Sequence, residues 1–233
     1  MLPKIWIYTV LGSLLFHTGR RLNAWQIGKL DTAVSFLELG RWFTAKRYRY
    51  SRSGRFTSRT DLYAAIADGI QNEVVLYLEF GVWRGDSLRV WSSLLKNRQS
   101  SLHGFDSFEG LPEAWNHMPK GTFDVKGAIP RFDDPRVVLH KGWFDETLPN
   151  MMWPPHDRLV VNLDADLYSS TKYVLETLDR TIRPGTILVF DEFYDRFNEL
   201  KAFDEFIDST KMQFRFVGAV LSQACQFAFE RVV

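Results

Sequence analysis

Short apolar runs alternate along the chain with segments whose apolar positions recur at helical spacing. Five short, mostly apolar runs have the pattern and length of buried strands: 74–80, 102–105, 137–139, 159–162 and 187–190. Segments 87–96 and 171–182 place apolar residues on one helical face. Ser58, with Asp61 three residues later, is a capping pair that predicts a further helix before the first run. Buried strands that alternate with amphipathic helices predict a doubly wound α/β fold, because right-handed crossovers put helices on both faces of a parallel sheet.

The two ends of the chain depart from this alternation. Runs 214–217 and 224–230 lie too close together for a helical crossover, so they predict a C-terminal antiparallel hairpin. Before residue 58, an apolar run at 5–16 precedes a stretch, 41–59, with seven basic residues and no acid. We therefore expect an N-terminal helical accessory segment and basic linker over residues 1–57, and an α/β domain over 58–233.

Run 5–16 raises the question of a membrane. It is shorter than the roughly 20 residues that cross a bilayer, and residues 17–21 are polar and basic where a signal peptide would be cleaved. We favour a packing or dimer-forming helix, with an interfacial membrane helix and a signal peptide as alternatives. For 41–59 we favour a solvated linker over a patch that binds anions.

Composition narrows the class of protein. The chain has 233 residues, 45% of them hydrophobic, which is enough to bury a core. The formal net charge of +1 gives no overall attraction to nucleic acid, and we expect no nucleic-acid partner. Cys225 is the single cysteine, so an internal disulfide is excluded, and a reducing, cytoplasmic location is expected.

Ligands of open parallel sheets bind beyond the carboxyl ends of the strands. The first run ends in a turn in which Gly81 permits close approach of a ligand, and the amides near Gly85 and Ser87 open a helix. Asp106 follows the second run, about 20 residues on, where such folds place an acid for a ribose diol. This spacing predicts a nucleoside-containing cofactor, although a glycine turn alone is often only a tight connection. The turn lacks Gly-x-Gly-x-x-Gly, which disfavours a nicotinamide cofactor.

Acidic residues follow the fourth and fifth runs. Asp164 and Asp166 come after 159–162, and Asp191 and Glu192 come directly after 187–190. If these strands are neighbours, roughly 4.8 Å apart, the carboxylates converge. Repulsion between them would be relieved by a hard cation, for which Mg²⁺ is the default. The alternative is that they cap helices or pair with Arg and Lys.

Several strings in this order resemble the macrocin O-methyltransferase group of class I S-adenosylmethionine (SAM) methyltransferases: LEFGVWRGDS, GFDSFEGLPEAW, KGTFD, KGWFDETLP, LDADLYSSTKYVLE and GTILVFDEF. The resemblance covers about 56–229. It implies that 58–233 is a SAM-dependent methyltransferase domain. It also implies Mg²⁺-dependent methyl transfer to a hydroxyl of a small molecule, a sugar or a natural product.

The resemblance also implies roles for individual residues. Those that match the cofactor site, from the methionine end through the ribose to the adenine, are Glu79, Gly81, Gly85, Ser87, Asp106, Ser107, Phe108, Gly142, Trp143 and Phe144. Those that match the metal-binding acids are Asp164, Asp191 and Glu192, and Asp164 would act in catalysis through the metal. Many relatives have Asp in place of Glu192.

The general base stays unassigned. Catechol-type relatives carry Lys three residues beyond the first metal ligand, where this chain has Leu167. His117 and His156 are the candidates, and His103 and His140 fit core or edge positions better. Two other function classes stay open: a nucleotide-cofactor oxidoreductase, and a non-catalytic module that binds SAM or docks on a membrane.

Overall fold

The structure, a computed structural model, describes residues 4–222 and 225–233. Within them an eight-stranded sheet has helices on both faces. The α-helices are α1 Lys4–Gly19, α2 Ala24–Ala45, α3 Arg59–Gly69, α4 Asp86–Leu94, α5 Phe144–Thr147, α6 Tyr168–Thr177 and α7 Glu199–Thr210. The strands are β1 Arg55–Phe56, β2 Val75–Phe80, β3 Ser101–Asp106, β4 Val137–Lys141, β5 Arg158–Leu163, β6 Ile187–Phe190, β7 Phe214–Val220 and β8 Phe227–Arg231.

The strand order is β1-β7-β8-β6-β5-β2-β3-β4. Strands β2, β3, β4, β5 and β6 form a parallel sheet. Strand β8 is antiparallel to both β6 and β7. The chain runs outward from β2 in one direction through β3 and in the other through β5, so the order reverses at β2. The predicted doubly wound fold is confirmed, and its ligand crevice belongs at the carboxyl ends of β2, β3 and β5.

Burial on both faces explains why β2 is a continuous apolar run. Leu76, Leu78 and Phe80 pack in the layer that holds α6 and α7, whereas Val75 and Tyr77 pack in the layer that holds α3 and α4. Successive side chains of a strand point to opposite faces, so each residue reaches one of the two layers. The rigid sheet that results fixes the positions of the strand ends.

Two details of the predicted pattern differ in the structure. The C-terminal hairpin forms, but its second strand begins at Phe227, and residue 224 of the predicted run lies outside the described residues. β1, which belongs to the predicted basic linker, pairs with β7 and adds an outer strand to the sheet. Two residues are too few for a strand pattern in sequence. The domain boundary at residue 57 stays a prediction.

The N-terminal helices meet the sheet through the end of α2. Leu39 and Phe43 are buried, and the Trp42 indole Nε1 donates to Asp204 Oδ1 at 2.7 Å. Residues 10–16 of α1 are exposed, so this part of the apolar run does not pack on the domain as a core helix would. No helix among residues 4–222 and 225–233 is long and apolar enough to cross a membrane.

A stacked histidine pair joins β3 to β4 at the edge of the sheet. His103 Nδ1 lies 2.9 Å from His140 Nε2, and the ring centroids are 5.2 Å apart. Burial, with the charge of His140 as a smaller cause, lowers the pKa of His103 to about 4, and burial lowers the pKa of His140. The pair therefore stays neutral in the folded protein where an unfolded histidine takes up a proton.

The free energy of unfolding is expected to fall as pH decreases from about 6.5 toward about 4, because over this range only the unfolded chain binds the extra proton. In His103→Gln, the decrease in the free energy of unfolding over this pH range should be smaller by about 1–2 kcal/mol. This is less than the full shift in pKa would give, because His103 is partly exposed to solvent. Urea denaturation at a series of pH values measures it. His117→Gln changes an exposed histidine in the same way and should leave the profile unchanged. Identical profiles for His103→Gln and the unmodified protein would contradict the prediction.

Candidate active site

One cavity of about 1120 Å³ opens at the carboxyl ends of the central strands. This is large enough for a cofactor together with a second small molecule. Ten of the thirteen residues that the sequence assigned to a site line it: Glu79, Gly81, Ser87, Asp106, Ser107, Trp143, Phe144, Asp164, Asp191 and Glu192. The other three, Gly85, Phe108 and Gly142, do not line the cavity, but each is adjacent in sequence to a residue that does.

Gly81 brings the glycine turn against the loop after β5. Its φ is +91°, and a Cβ at this position would overlap the backbone carbonyl oxygen of Asp164. The Gly81 N–H donates to Phe105 O at 3.0 Å, and the Asp164 N–H donates to Phe80 O at 2.9 Å. Only glycine fits here, and the close approach sets the turn and the first acidic loop side by side.

The second glycine of the turn starts α4. Gly85 has φ +80° and is the N-cap residue of this helix, and its N–H donates to Val82 O at 2.7 Å. Asp86 and Ser87, in the first turn of α4, line the cavity. The N–H groups of a first helical turn have no partner within the helix, so this wall of the cavity suits a negatively charged ligand group.

Asp106 ties the end of β3 to the glycine turn. Its Oδ2 accepts from the N–H groups of Val82 at 2.8 Å and Trp83 at 2.7 Å, and its Oδ1 accepts from Phe108 N–H at 2.6 Å. This bracing of the turn was not predicted from the sequence. Because each carboxylate oxygen has two lone pairs, Asp106 keeps acceptor capacity for a ligand hydroxyl.

The loop after β4 is held close to the same strand end. The Gly142 N–H donates to Asp106 O at 3.0 Å, and the chain then enters α5 through Trp143 and Phe144. Phe108, whose N–H binds Asp106, is itself almost fully buried. The predicted cofactor residues after β3 and β4 therefore flank one strand end.

The acidic loops after β5 and β6 converge as the sequence predicted. Leu163 is paired with Phe190 in the sheet, and the Asp191 N–H donates to Leu163 O at 3.0 Å. Asp191 lies close enough to Asp164 for its charge to act on that carboxyl group. Asp166 and Glu192 line the same part of the cavity.

Burial and mutual repulsion make this group of acids hard to ionise. Burial and the charge of Asp191 raise the pKa of Asp164 well above its usual value. Burial, followed by the charge of Asp191, raises the pKa of Asp166 to about 7 and that of Glu192 to about 8. Burial also raises the pKa of Asp191, although the nearby Arg59 lowers it. The cavity is therefore lined by more carboxyl groups than its own cations, Arg59 and Lys120, can neutralise.

Arg59, the last residue of the basic stretch 41–59, is a site residue that the sequence did not predict. Its Nη2 lies 3.8 Å from Asp191 Oδ2, and its Nη1 donates to Ser87 Oγ at 3.3 Å. Arg59 is the first residue of α3, directly after the Ser58 cap. The capping pair predicted where this helix begins. It did not distinguish the Arg59 side chain from the other basic residues of 41–59, because all of them were interpreted as a solvated linker.

Two further partners of the acids come from distant parts of the chain. The Gln226 side-chain amide donates to Asp191 Oδ1 and, at 3.2 Å, to the Tyr63 hydroxyl oxygen. Glu199 is fully buried in α7, and its Oε2 accepts from Glu192 N–H at 3.2 Å. Both side chains hold the loop after β6 in place.

One wall of the cavity is mainly apolar and includes two aromatic side chains. It is built by the segment after β3, which contributes Trp115, Met118, Lys120 and Phe123 to the lining. The Trp115 indole Nε1 donates to Asp195 Oδ2 at 3.3 Å, which ties this segment to the loop after β6. Such a wall suits a second molecule with an apolar body.

The family model described as Macrocin-O-methyltransferase (TylF) matches residues 55–217, from β1 into β7. The chain belongs to this family. The resemblance of the sequence strings to this family is thereby confirmed.

A curated relative of the family is the 8-demethyl-8-(2,3-dimethoxy-alpha-L-rhamnosyl)-tetracenomycin-C 4'-O-methyltransferase of Streptomyces olivaceus. It is 32% identical over 150 residues, which cover 55% of this chain and 55% of the relative. The chain spans about half the length of the curated relatives that it matches.

Solved structures share the fold. The O-methyltransferase NovP superposes with a TM-score of 0.58 at 20% identity, covering 75% of this chain and 80% of that chain. An O-methyltransferase from Bacillus cereus, solved in complex with S-adenosylhomocysteine (SAH), gives a TM-score of 0.50 at 16% identity, covering 86% and 91%. These likenesses confirm the Rossmann-like sheet of class I methyltransferases.

The family resemblance implies a metal ion, and the donor chemistry of the cleft fits one. Carboxylate oxygens with uncompensated charge are the ligands that Mg²⁺ prefers. In the part of the chain that the structure describes, however, no group of three or more His, Cys, Asp or Glu is arranged to hold a metal ion. Arg59 and Gln226 instead occupy oxygens of Asp191.

The candidate bases, His117 and His156, do not line this cleft. His117 is exposed and does not line the cleft, and His156 lines a separate small cavity with Trp153 and Arg180. Of the described residues that line the cleft, none is a histidine. The ionisable side chains that line the cleft are therefore its carboxylates, Lys120, Arg59 and Tyr173.

Proposed function

We propose that this protein is a SAM-dependent O-methyltransferase that acts on a hydroxyl of a small molecule of the sugar or natural-product type. One observation carries the proposal: the glycine turn and the two acidic loops contact each other and line a single cleft. A donor that lies on the turn then has its reactive end beside the acids. Membership of the family and the sugar O-methyltransferase among its relatives support the acceptor class.

The residues of the turn suit the methyl donor. We assign its methionine carboxylate to the first turn of α4 and to Arg59, because both offer positive charge at this wall. Asp106 accepts hydrogen bonds from the ribose diol, with Ser107 beside it, and Trp143 and Phe144 flank the adenine. The fold is shared with a methyltransferase that was solved with SAH, which is the product of this donor.

The acidic side of the cleft suits the reaction. Methyl transfer forms a bond from the acceptor oxygen to the methyl carbon and breaks the carbon–sulfur bond, whose electron pair stays on sulfur. The hydroxyl proton passes to one of the carboxylates that line the cleft. The carboxylates of the loops after β5 and β6, when ionised, attract the sulfonium, and their oxygens suit a hard cation beside the acceptor oxygen. Alignment of donor and acceptor in line supplies a large part of the rate.

We further propose that Asp164, Asp191 and Glu192 hold a Mg²⁺ ion when the acceptor binds. A bound divalent ion lowers the pKa of a coordinated hydroxyl and offsets the charge that develops on its oxygen. The chain's own contribution is a dense group of carboxylates, kept in place by Gln226 and by the backbone bond to Glu199.

Asp106→Ala is expected to weaken SAH binding about 10- to 100-fold, because hydrogen bonds to a charged group contribute about 1.5–3 kcal/mol. Isothermal titration calorimetry measures this affinity. Asp124→Ala is the matched control. Asp124 Oδ1 accepts from the Lys126 N–H at 2.5 Å, as Asp106 accepts from the residue two positions after it, but Asp124 does not line the cleft. Unchanged SAH affinity in a folded Asp106→Ala protein would remove Asp106 from the cofactor site.

A further inference from the structure

The two predicted parts of the chain carry opposite charge. Residues 1–57 contain ten Lys or Arg and two acidic residues, a formal charge of +8. The remaining 19 basic and 26 acidic residues give 58–233 a formal charge of −7. The total of +1 conceals this asymmetry, which is typical of a chain with one part that meets an anionic partner.

The acids of the basic part are already paired. Asp31 and Glu38 contact the same guanidinium, that of Arg196, at 2.8 and 3.4 Å. Lys46 is likewise paired, with Asp204 and Asp208. Within the described ranges, no ion pair is found for the exposed arginines of this part: Arg20, Arg21, Arg41, Arg47, Arg49, Arg52 and Arg55. Their charge is available to a partner.

The same part of the chain exposes an unusual amount of apolar surface. On α1, five large apolar side chains are 48–65% exposed: Val10, Leu11, Leu14, Leu15 and Phe16. At 100° per residue they occupy more than half of the helix circumference. A helix that is apolar around most of its circumference is stable only when it is surrounded by apolar material.

The outer face of α2 also exposes large apolar side chains. Ile27, Leu30, Val34 and Leu37 follow one another at three- and four-residue spacing, and they are 41–70% exposed. They lie opposite the face that Leu39 buries against the domain. Trp25, near the start of the helix, is 70% exposed with Lys29 over its ring. Together with α1, these side chains amount to an exposed apolar area on the order of 1,000 Å², above the roughly 300–600 Å² of the largest patch on a typical monomer.

We propose that α1 and the outer face of α2 insert into the surface of an anionic lipid bilayer, with the arginines of residues 20–55 on the headgroups. Lipid acyl chains can surround the whole apolar part of a helix, whereas a single partner helix buries only a narrow face of it. A second copy would also bring one +8 segment against another. α1 has 16 residues and is about 24 Å long, less than the ~30 Å hydrocarbon core, so insertion lies in the interface.

Vesicle co-sedimentation of the full chain tests this inference independently of the proposed catalysis. We expect binding to vesicles of phosphatidylcholine mixed with phosphatidylglycerol, and binding at least tenfold weaker to phosphatidylcholine alone. Arg20→Gln with Arg21→Gln should weaken binding about 30-fold, at the energy typical of a cation near an anionic surface. Arg180→Gln with Arg183→Gln, exposed arginines of the 58–233 part, should leave binding unchanged.

The apolar contribution is tested by Leu14→Asp with Leu15→Asp, at positions exposed enough to leave the fold intact. This variant should lose vesicle binding at least tenfold, whereas Met152→Asp, at a residue 88% exposed outside the segment, should not. Binding of the Leu14/Leu15 variant at the level of the unmodified protein overturns the proposal. The proposal is also overturned if the unmodified protein stays in the supernatant. In that case, a dimer seen by light scattering that the Leu14/Leu15 change dissociates would show that a second copy covers this surface.

Discussion

Methyl transfer by the Asp191→Asn variant is expected to fall at least 100-fold, while its affinity for SAH stays within about threefold of the unmodified protein. Asp191 lies between Asp164, Arg59 and Gln226 on the acidic side of the cleft, away from the Asp106 end. Loss of its charge removes a proposed metal ligand and part of the field that acts on the reacting atoms, an effect typically worth several kcal/mol of transition-state stabilisation. The measurement is SAH release with polyols, sugars and catechols, with and without a chelator.

The control for Asp191→Asn is Asp68→Asn, which makes the same change at an exposed position of α3. It should retain full turnover. A thermal shift with Mg²⁺ provides a second readout: the unmodified protein should be stabilised by the ion and the Asp191→Asn variant should not. Full turnover in Asp191→Asn would contradict the metal assignment, and a parallel collapse of SAH affinity would place Asp191 in the donor site instead.

Gly81→Ala is expected to cost at least about 3 kcal/mol in the free energy of unfolding. An L-residue pays about 1–2 kcal/mol for a left-handed backbone, and overlap with a packed neighbour adds typically 1–3 kcal/mol. Here the neighbour is the Asp164 carbonyl, which is backbone and has little room to move. Urea denaturation measures the loss, and SAH affinity should fall with it because the turn must open.

Gly121→Ala isolates the steric part of this prediction. Gly121 also has a positive φ, +84°, but a Cβ there would meet nothing within 4 Å. Its substitution should cost only the backbone term, about 1–2 kcal/mol. Equal losses for the two variants would show that the contact between the glycine turn and the loop after β5 is not tight.

Periodicity predicted the sheet well because the central strands are buried on both faces. β6 forms over the same residues, 187–190, as its apolar run, and the Ser58 side chain accepts from Asp61 N–H at 3.2 Å, as the capping pair indicated. Once the strands were placed, topology alone put Asp106, Asp164 and Asp191 at one edge. The location of the cleft therefore followed from local patterns.

The remaining parts of the site depend on contacts between residues far apart in sequence. Gln226, which donates to Asp191, is 35 residues away from it in sequence. Arg59, which pairs with Asp191, lies near the start of the 58–233 part. No local periodicity encodes such pairs. Asp106 illustrates a different limit: its spacing indicated a ribose ligand, but not that three backbone N–H groups already bind it.

The central claim is that the cleft between the glycine turn and the acidic loops holds a sulfonium methyl donor. Calorimetric titration of the full chain with SAH and, separately, with NAD tests it most directly. We predict one SAH site per chain with a dissociation constant in the micromolar range, and no heat of binding from NAD. Saturable binding of NAD without any binding of SAH would contradict the claim and support a nucleotide-cofactor oxidoreductase.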